Sequence, residues 1–210
     1  MLLHSESDSR EFVAARCTDE AMDALDLLAT RLREANAKQN LVAASTLDAM
    51  WRRHIADSAQ LLDHVSRETS PWIDLGAGAG FPGLVVAAMQ SSRAVYLLES
   101  RTLRIQWLKA IICELGLQNC HVIGQDLRRI EPIEAAVISA RALAPLHRLI
   151  RLSARFSTNA TEWVLPKGRA AVQEIASLPQ HLRSRFHVKQ SVTDPDAGIV
   201  LARGRMDSRA

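Results

Sequence analysis

One stretch decides the fold of this chain: Asp74-Leu75-Gly76-Ala77-Gly78-Ala79-Gly80-Phe81-Pro82-Gly83. It begins inside the short apolar run 72–75, which is typical of a buried strand, and it leads into an apolar helix from Pro82 to about Met89. Glycines let the backbone turn tightly and let a ligand approach without meeting a Cβ atom, and a proline suits the first helical turn. The stretch therefore predicts a strand, a ligand-binding loop and a helix, with the ligand at the carboxyl end of the strand.

Strands and helices alternate on the C-terminal side of this loop. Further strands are predicted at 94–98, 121–123, 135–139 and 163–165, and helices at 103–115, 145–156 and 170–182. Two last strands, 186–192 and 199–202, are separated by the turn 194–198, which places one antiparallel strand in the sheet. The alternation predicts an α/β fold with a mostly parallel seven-stranded sheet and helices on both faces.

The N-terminal third lacks this alternation and is predicted to be helical. Its expected parts are a frayed polar start at 1–9, helices at about 11–37 and 46–64, and a connector at 39–43. We therefore expect an N-terminal helical extension, 1–69, and a domain, 70–210, that carries the sheet. The two parts are expected to form one compact unit.

Two cofactor classes compete for the glycine loop. Residues 78–83 formally match the dinucleotide pattern, but the strand ends at Leu75, so the natural first glycine is Gly76 and the third glycine position falls on Phe81. The preceding acid, Asp74, favours S-adenosylmethionine, because an ammonium needs a carboxylate and backbone carbonyls whereas a pyrophosphate needs N–H groups.

Acids that follow the next two strands complete the predicted cofactor site. Glu99 ends the second strand, where a carboxylate either accepts both ribose hydroxyls of either cofactor or simply faces the solvent after the strand. Asp126 follows the third strand, where it either meets the adenine amino group or forms a turn. The residues predicted to bind the cofactor are Asp74, Gly76, Gly78, Gly80, Phe81, Gly83, Glu99, Gln125, Asp126 and Arg141.

Charge is distributed unevenly along the chain. Residues 1–70 hold 8 basic and 12 acidic side chains, a net −4, whereas residues 141–210 hold 12 and 5, a net +7. The asymmetry indicates either a polyanion bound by the C-terminal half or a solvated basic surface without a ligand. Aromatic residues make up 4% of the chain, which argues against an extensive stacking platform for single-stranded nucleic acid.

Composition also excludes several classes of protein. The sequence has no run of eighteen apolar residues, and its start lacks the pattern of a secretory signal, so we expect neither a membrane span nor export. The three cysteines, Cys17, Cys113 and Cys120, match no zinc or redox spacing. They are expected to be reduced thiols of a cytoplasmic protein without a metal.

Taken together, these motifs resemble the RsmG (glucose-inhibited division protein B) family. The resemblance rests on the glycine loop 74–83, on Asn40-Leu41, on Arg53-His54-x-x-Asp57-Ser58, and on two strand-end motifs, Ser139-x-Arg141-Ala142 and Lys167-Gly168. It covers about residues 30–205. It implies a Rossmann-like class I S-adenosylmethionine methyltransferase that acts as a monomer on a guanine N7 of 16S ribosomal RNA, in a loop near the decoding centre, as naked RNA or in the small ribosomal subunit.

The resemblance also implies which residues act on the substrate. Asn40, His54, Arg141 and Lys167 are expected to orient the guanine or its phosphates. The chain departs from the family pattern at Leu103, where a lysine is common nearby, at Asp126-Leu127, where Ser-Arg is frequent, and at Ala140, which separates Ser139 from Arg141.

Three alternatives stay open at this point. A methyltransferase for a small molecule or a protein would carry the same loop, although the basic C-terminal half argues mildly against it. A non-catalytic RNA-binding or ribosome-binding protein could retain the loop as a relic. An NAD-dependent enzyme is the third alternative, and titration with both cofactors separates it from the others.

Overall fold

The computed structural model describes residues 2–66 and 68–206. Its centre is a seven-stranded sheet in the order β3-β2-β1-β4-β5-β7-β6. The strands are β1 Trp72–Leu75, β2 Val95–Leu98, β3 Cys120–Ile123, β4 Ala135–Ser139, β5 Ser157–Gly168, β6 Phe186–Gln190 and β7 Gly198–Arg203. Strands β1 to β5 run parallel, and β7 pairs antiparallel with both β5 and β6. The predicted mostly parallel seven-stranded sheet with one antiparallel strand is confirmed.

Helices cover both faces of this sheet. The α-helices are α1 Glu6–Ala14, α2 Asp19–Asn36, α3 Asp57–Ala59, α4 Gly83–Met89, α5 Thr102–Glu114, α6 Leu146–Ser153, α7 Ala171–Ala176 and α8 Gln180–Arg183. Apolar residues of α2, α4 and α5, such as Leu28, Val85 and Leu108, form one core against the sheet. Apolar residues of α6, such as Leu149, form a second core on the opposite face with residues such as Trp163. The predicted arrangement of helices on both faces is therefore confirmed.

The N-terminal segment is more ordered than its polar composition predicts. The expectation of a frayed start at 1–9 is wrong for residues 2–9, because Leu3 is 1% exposed and its N–H donates to the carbonyl of Val192, whereas Met1 lies outside the described residues. Helix α1 begins with a capping box. The Ser5 side chain accepts from the N–H of Asp8, and the Asp8 side chain accepts from the N–H of Ser5. The single helix expected at 11–37 is also wrong, since Thr18 caps a separate helix, α2.

The helix expected at 46–64 is present as an irregular segment. A 3-10 turn at Ala44–Ala49 leads into a π-helical turn at Trp51–Ala56, then into α3 and a second 3-10 turn at Gln60–His64. Single π-helical turns are rare in proteins, and those that occur are often found at functional sites. The segment shares the core of α2 and α4 through Met50 and Ile55, so the extension packs directly on the sheet domain. The division of the chain at residue 69 stays a prediction.

The strand order creates a crevice at the carboxyl end of β1. The chain passes from β1 to β2 on one side and returns to β4 on the other side, so the connections after β1 and β4 diverge. In open α/β sheets, ligands bind at such a switch in strand order.

Candidate active site

Asp74 lies beneath the glycine loop rather than on its surface. It is 0% exposed, its Oδ2 accepts from the N–H of Gly83 at 3.0 Å, and its Oδ1 accepts from the hydroxyl of Ser139 at 2.8 Å. Burial raises the pKa of Asp74 to about 7, although both hydrogen bonds oppose that shift. The carboxyl group therefore ties the end of β1 to the start of α4 and to β4.

The loop that passes over Asp74 depends on glycines in left-handed backbone conformations. Gly76 has a φ of +64°, and Gly80 has a φ of +105°. A Cβ atom on Gly80 would lie 2.1 Å from Cδ1 of Leu84, so the loop can pack against α4 only without a side chain at this position.

Replacing Gly80 with alanine is expected to lower the free energy of unfolding by about 3 kcal/mol, because strained backbone and overpacking each cost on the order of 1–2 kcal/mol. Gly116→Ala is the matched control, since Gly116 also has a positive φ, +66°, but nothing lies within 4 Å of its added Cβ atom. The control is expected to lose only about 1 kcal/mol. Urea unfolding measures both variants, and equal losses would contradict the packing argument.

A pocket of about 400 Å³ opens between the glycine loop and the end of β2. We call it the glycine-loop pocket. Its walls are formed by Leu41, Gly76, Ala77, Gly78, Ala79, Phe81, Leu98, Glu99, Ser100, Arg101, Arg104, Gln125, Leu127, Arg141, Ala142 and Leu143. Six of the predicted cofactor residues lie in this wall, namely Gly76, Gly78, Phe81, Glu99, Gln125 and Arg141.

Glu99 is the carboxylate of this pocket. It is 7% exposed, its Oε2 accepts from the N–H of Gly78 at 3.0 Å, and its Oε1 accepts from the N–H groups of Ser100 and Arg101 at 2.7 and 2.9 Å. These bonds fix the carboxylate at the end of β2 while Oε2 keeps acceptor capacity toward the pocket.

Four predicted cofactor residues lie outside the wall: Asp74, Gly80, Gly83 and Asp126. Asp74 lies beneath the loop and accepts from the N–H of Gly83, and Gly80 belongs to the part of the loop that packs against Leu84. Asp126 is paired with the Arg128 side chain at 2.6 Å, and this bond holds the pKa of the carboxyl well below its usual range. Asp126 also accepts from the N–H of Arg128, as a turn-forming aspartate does, and its contact with the adenine amino group stays a prediction.

Arg104 and Leu41 also line this pocket, although neither is among the predicted cofactor residues. The Arg104 side chain lies over the loop and donates to the carbonyls of Asn40 at 3.1 Å and Leu41 at 3.4 Å. Asn36 fixes the same connector, because its Oδ1 accepts from the N–H groups of Leu41 and Val42. Nothing local in the sequence connects α5 to this connector; only the Asn-Leu motif pointed to the region.

A further pocket of about 600 Å³, which we call the second pocket, adjoins the glycine-loop pocket. Its walls are formed by Thr46, Arg53, His54, Asp57, Arg141, Ala142, Leu143, Ala144, Pro145, Pro166, Lys167, Gly168, Glu174, Ser191, Asp194, Ala197, Gly198 and Ile199. The two pockets share Arg141, Ala142 and Leu143. Among the residues that the structure describes, Ala142 is the one non-glycine residue with a positive φ, +54°, and such strain clusters at functional sites.

Arg141 holds the shared wall in place. Its guanidinium lies over the Phe81 ring at 5.0 Å, donates to the carbonyl of Arg53 at 3.2 Å, and lies 3.9 Å from Oδ2 of Asp57. The residue thus connects β4 with the glycine loop and with the π-helical turn. It keeps a cation between the two pockets.

His54 is neutral in this environment. It is 6% exposed, its Nε2 pairs with the Thr46 hydroxyl at 2.8 Å, and its ring lies 5.1 Å from that of Phe81. Burial, assisted by Arg141 and Arg53, lowers the pKa of His54 from its ordinary 6.5 to about 3. Its Nδ1 is buried without a hydrogen-bond partner among the described residues.

The pKa of His54 makes stability depend on pH. The unfolded state takes up this proton below about pH 6.5 and the folded state only near pH 3, so the free energy of unfolding falls as the pH drops through this window. The slope is about 1.4 kcal/mol per pH unit at most. His54→Gln is expected to remove part of this acid sensitivity in urea unfolding between pH 4 and 7, whereas His147→Gln, at an exposed position on α6, leaves it unchanged. An unaltered slope in His54→Gln would contradict the assignment.

The two remaining predicted substrate residues are placed differently. Lys167 lines the second pocket, but its Nζ donates to the carbonyl of Ala144 at 2.7 Å and pairs with Glu174 at 3.0 Å. Asn40 is exposed and lies outside both walls, with its carbonyl bound by Arg104. The structure therefore brings His54, Arg141 and Lys167 together and leaves Asn40 at the edge of the glycine-loop pocket.

Across 2–66 and 68–206, no group of three or more His, Cys, Asp or Glu side chains could hold a metal ion. None of the helices in those ranges is long and apolar enough to cross a membrane.

Sequence comparison identifies relatives over nearly the whole chain. Residues 21–198 match the GidB family, described as rRNA small subunit methyltransferase G. A protein of Erythrobacter litoralis named ribosomal RNA small subunit methyltransferase G is 54% identical over 97% of this chain and 99% of its own length. A protein of the same name from Sphingopyxis alaskensis is 54% identical over 87% of this chain and 78% of its own length.

Structure comparison supports the fold alone. M. jannaschii TYW2 in complex with AdoMet superimposes with a TM-score of 0.56 at 14% identity, over 81% of this chain and 80% of that chain. A SAM-dependent methyltransferase from Aquifex aeolicus gives a TM-score of 0.56 at 14% identity, over 83% of this chain and 97% of that chain. Both likenesses agree with a class I Rossmann-like methyltransferase fold.

Proposed function

This chain belongs to the GidB family of rRNA small subunit methyltransferase G proteins, and from that premise we propose how its two pockets divide the reaction. The protein is an S-adenosylmethionine-dependent methyltransferase that methylates N7 of a guanine in 16S rRNA. We propose that the glycine-loop pocket holds the cofactor and that the second pocket holds the guanine. The observation that carries this proposal is the wall of Arg141, Ala142 and Leu143, which the two pockets share.

The residues of the glycine-loop pocket fit S-adenosylmethionine. Its volume of about 400 Å³ lies within the usual range for ligand pockets. Glu99 would accept the ribose hydroxyls, because its carboxylate is fixed at the end of β2. The backbone of Gly76 and Gly78 would take the amino-acid end, because no Cβ atom stands between their backbone and the pocket. When bound, the cofactor supplies a methyl group activated by the sulfonium charge.

The chemistry needs no general base from this chain. Guanine N7 carries a free lone pair and no proton, so the protein has only to hold it in line with the methyl group. A neutral His54 agrees with this requirement, since its ring contributes shape and a hydrogen bond rather than charge. Positioning of this kind supplies on the order of 7–11 kcal/mol of barrier reduction.

We assign separate roles to the four predicted substrate residues. His54 and Arg141 are proposed to contact the target guanine or its phosphates, because both line the second pocket. Lys167 is proposed to shape that pocket through Glu174 and the carbonyl of Ala144. Asn40 is proposed to act at the pocket edge, where its backbone anchors Arg104.

We further propose that the protein acts as a monomer on cytoplasmic rRNA, with naked 16S rRNA or the assembled small subunit as the substrate. The surplus of basic residues in 141–210 supports an RNA phosphate backbone facing that half of the chain.

Mapping of N7-methylguanosine tests the function directly. Small subunits and naked 16S rRNA from cells without this activity are incubated with the protein and S-adenosylmethionine, and chemical strand scission locates the modified base. We expect one new scission site, absent when the protein or the cofactor is omitted. Scission unchanged by the folded protein on both substrates would refute the proposed function.

A further inference from the structure

The second pocket carries three carboxylates whose role the reaction itself does not explain. They belong to Asp57, Glu174 and Asp194. Transfer to N7 needs neither an acid nor a base, and a pocket for polyanionic RNA gains nothing electrostatically from three acids. Each carboxylate therefore has to be accounted for by its partners.

Two of the three are engaged by cations of the same chain. Asp194 uses both oxygens, because Oδ2 pairs with Arg53 at 3.0 Å and Oδ1 accepts from the N–H of Asp196 at 3.0 Å. Glu174 pairs with Lys167 at 3.0 Å and accepts from the N–H of Leu146 with the same oxygen, Oε2. Both acids are therefore accounted for by ion pairs with Arg53 and Lys167, which line the same pocket.

Asp57 differs from both. Its Oδ1 accepts from the Thr193 hydroxyl at 2.7 Å and from the Gln60 amide at 2.9 Å, which fixes the carboxylate plane. Its Oδ2 makes no hydrogen bond within the described residues, and its nearest cation, Arg141, lies 3.9 Å away. The side chain is 21% exposed and lines the second pocket. An oriented, free acceptor thus lies beside the wall that separates the two pockets.

Guanine offers the matching edge. Its Watson–Crick edge presents two adjacent donors, N1–H and the N2 amino group, and a carboxylate is an acceptor without donors. Adenine and cytosine each present an acceptor there, which would face the carboxylate unfavourably. A site built to accept a substrate N–H rejects analogues that lack it far better than an apolar pocket does.

From this geometry we propose that Asp57 selects guanine, with Oδ2 accepting from the N2 amino group on the Watson–Crick edge of the base whose N7 is methylated. The inference rests on the proposed function, and it adds a specificity-determining residue to it. Thr193 and Gln60 act as positioning residues that hold the carboxylate for this contact.

The alternative is that Asp57 serves only as the counter-charge of Arg141. The base analogue inosine separates the two roles, because it keeps N7 and N1–H but lacks the N2 amino group. Small subunits are reconstituted with ligated 16S rRNA that carries guanosine or inosine at the target position, and kcat/KM is measured on both. A counter-charge role would alter both values by the same factor and leave their ratio unchanged.

The wild-type protein is expected to prefer guanosine over inosine by about 10-fold or more, from one charge-assisted hydrogen bond. Asp57→Asn is expected to lose most of that preference, because its amide presents a donor to the guanine donors or gives up the bonds to Thr193 and Gln60. Asp194→Asn is the matched control, since this acid lines the same pocket with both oxygens engaged, and it should keep the wild-type ratio. Calorimetry with S-adenosylmethionine verifies that each variant is folded.

The outcomes distinguish the inference from the function beneath it. Methylation of guanosine and inosine at equal rates by the wild-type protein would overturn the inference while leaving the activity intact. An unchanged ratio in Asp57→Asn would do the same and would leave Asp57 as a counter-charge. A wild-type protein inactive on the guanosine substrate would overturn the activity and the inference together.

Discussion

Arg141→Ala is expected to lower kcat/KM for rRNA methylation about 100-fold, the largest loss for any single side chain of the site. The guanidinium lines both pockets, stacks on Phe81 and bonds the carbonyl of Arg53. A hydrogen bond to a charged group contributes about 1.5–3 kcal/mol, and a desolvated cation–π contact about 2 kcal/mol. Loss of part of this sum from the transition state gives the expected factor.

Arg141→Lys tests whether the planar group matters. Lysine keeps the charge but lacks the fork that reaches Phe81 and the carbonyl of Arg53 together, so we expect it to recover only part of the activity. Arg31→Ala is the control, because Arg31 forms an exposed pair with Glu114 away from both pockets and should leave kcat/KM within about twofold. Wild-type activity in Arg141→Ala would remove this residue from the proposed site.

Glu99→Ala is expected to raise the Kd for S-adenosylmethionine about 100-fold, the second large effect. The carboxylate would lose its proposed bonds to the ribose, and the N–H groups of Gly78, Ser100 and Arg101 would lose their acceptor. Two charge-assisted bonds at about 1.5 kcal/mol each correspond to that factor. Glu99→Gln keeps one good acceptor and should lie between wild type and alanine, at about 10-fold.

Calorimetry measures these affinities on the folded protein. Glu114→Gln is the matched control, since Glu114 is an exposed acid of α5 that pairs with Arg31 and lies outside the glycine-loop pocket. Binding of 16S rRNA should stay within about twofold of wild type in Glu99→Ala. A Kd for the cofactor within threefold of wild type would show that the ribose is held elsewhere.

Several site residues could be predicted from the sequence because their positions follow from local structure. Glu99, Gln125 and Arg141 each follow or end a parallel strand, and parallel strands end at one edge of a sheet. A residue at such a strand end lies near the crevice regardless of how the other side chains pack. The glycine loop is local in the same way, since its turn depends on glycines next to each other in sequence.

Side-chain direction could not be predicted in this way. Asp74 follows the pattern of a ligand-binding acid, yet hydrogen bonds from Ser139 and Gly83 hold its carboxylate beneath the loop. Lys167 also lies at a strand end, but its ammonium forms an ion pair with Glu174, seven residues further along the chain. In both cases the partner is supplied by packing, and a hydrophobic pattern does not specify it.

The amino-acid sequence by itself determined the order of strands and helices, the place of the glycine loop and the membership of the family, because periodicity, turn residues and motif spacing are properties of neighbouring positions. Only the tertiary structure decided that Arg141 meets Phe81, Arg53 and Asp57 at a wall common to two pockets. Arg53 lies 88 residues away in the chain, and such contacts form only when the N-terminal helices pack on the sheet.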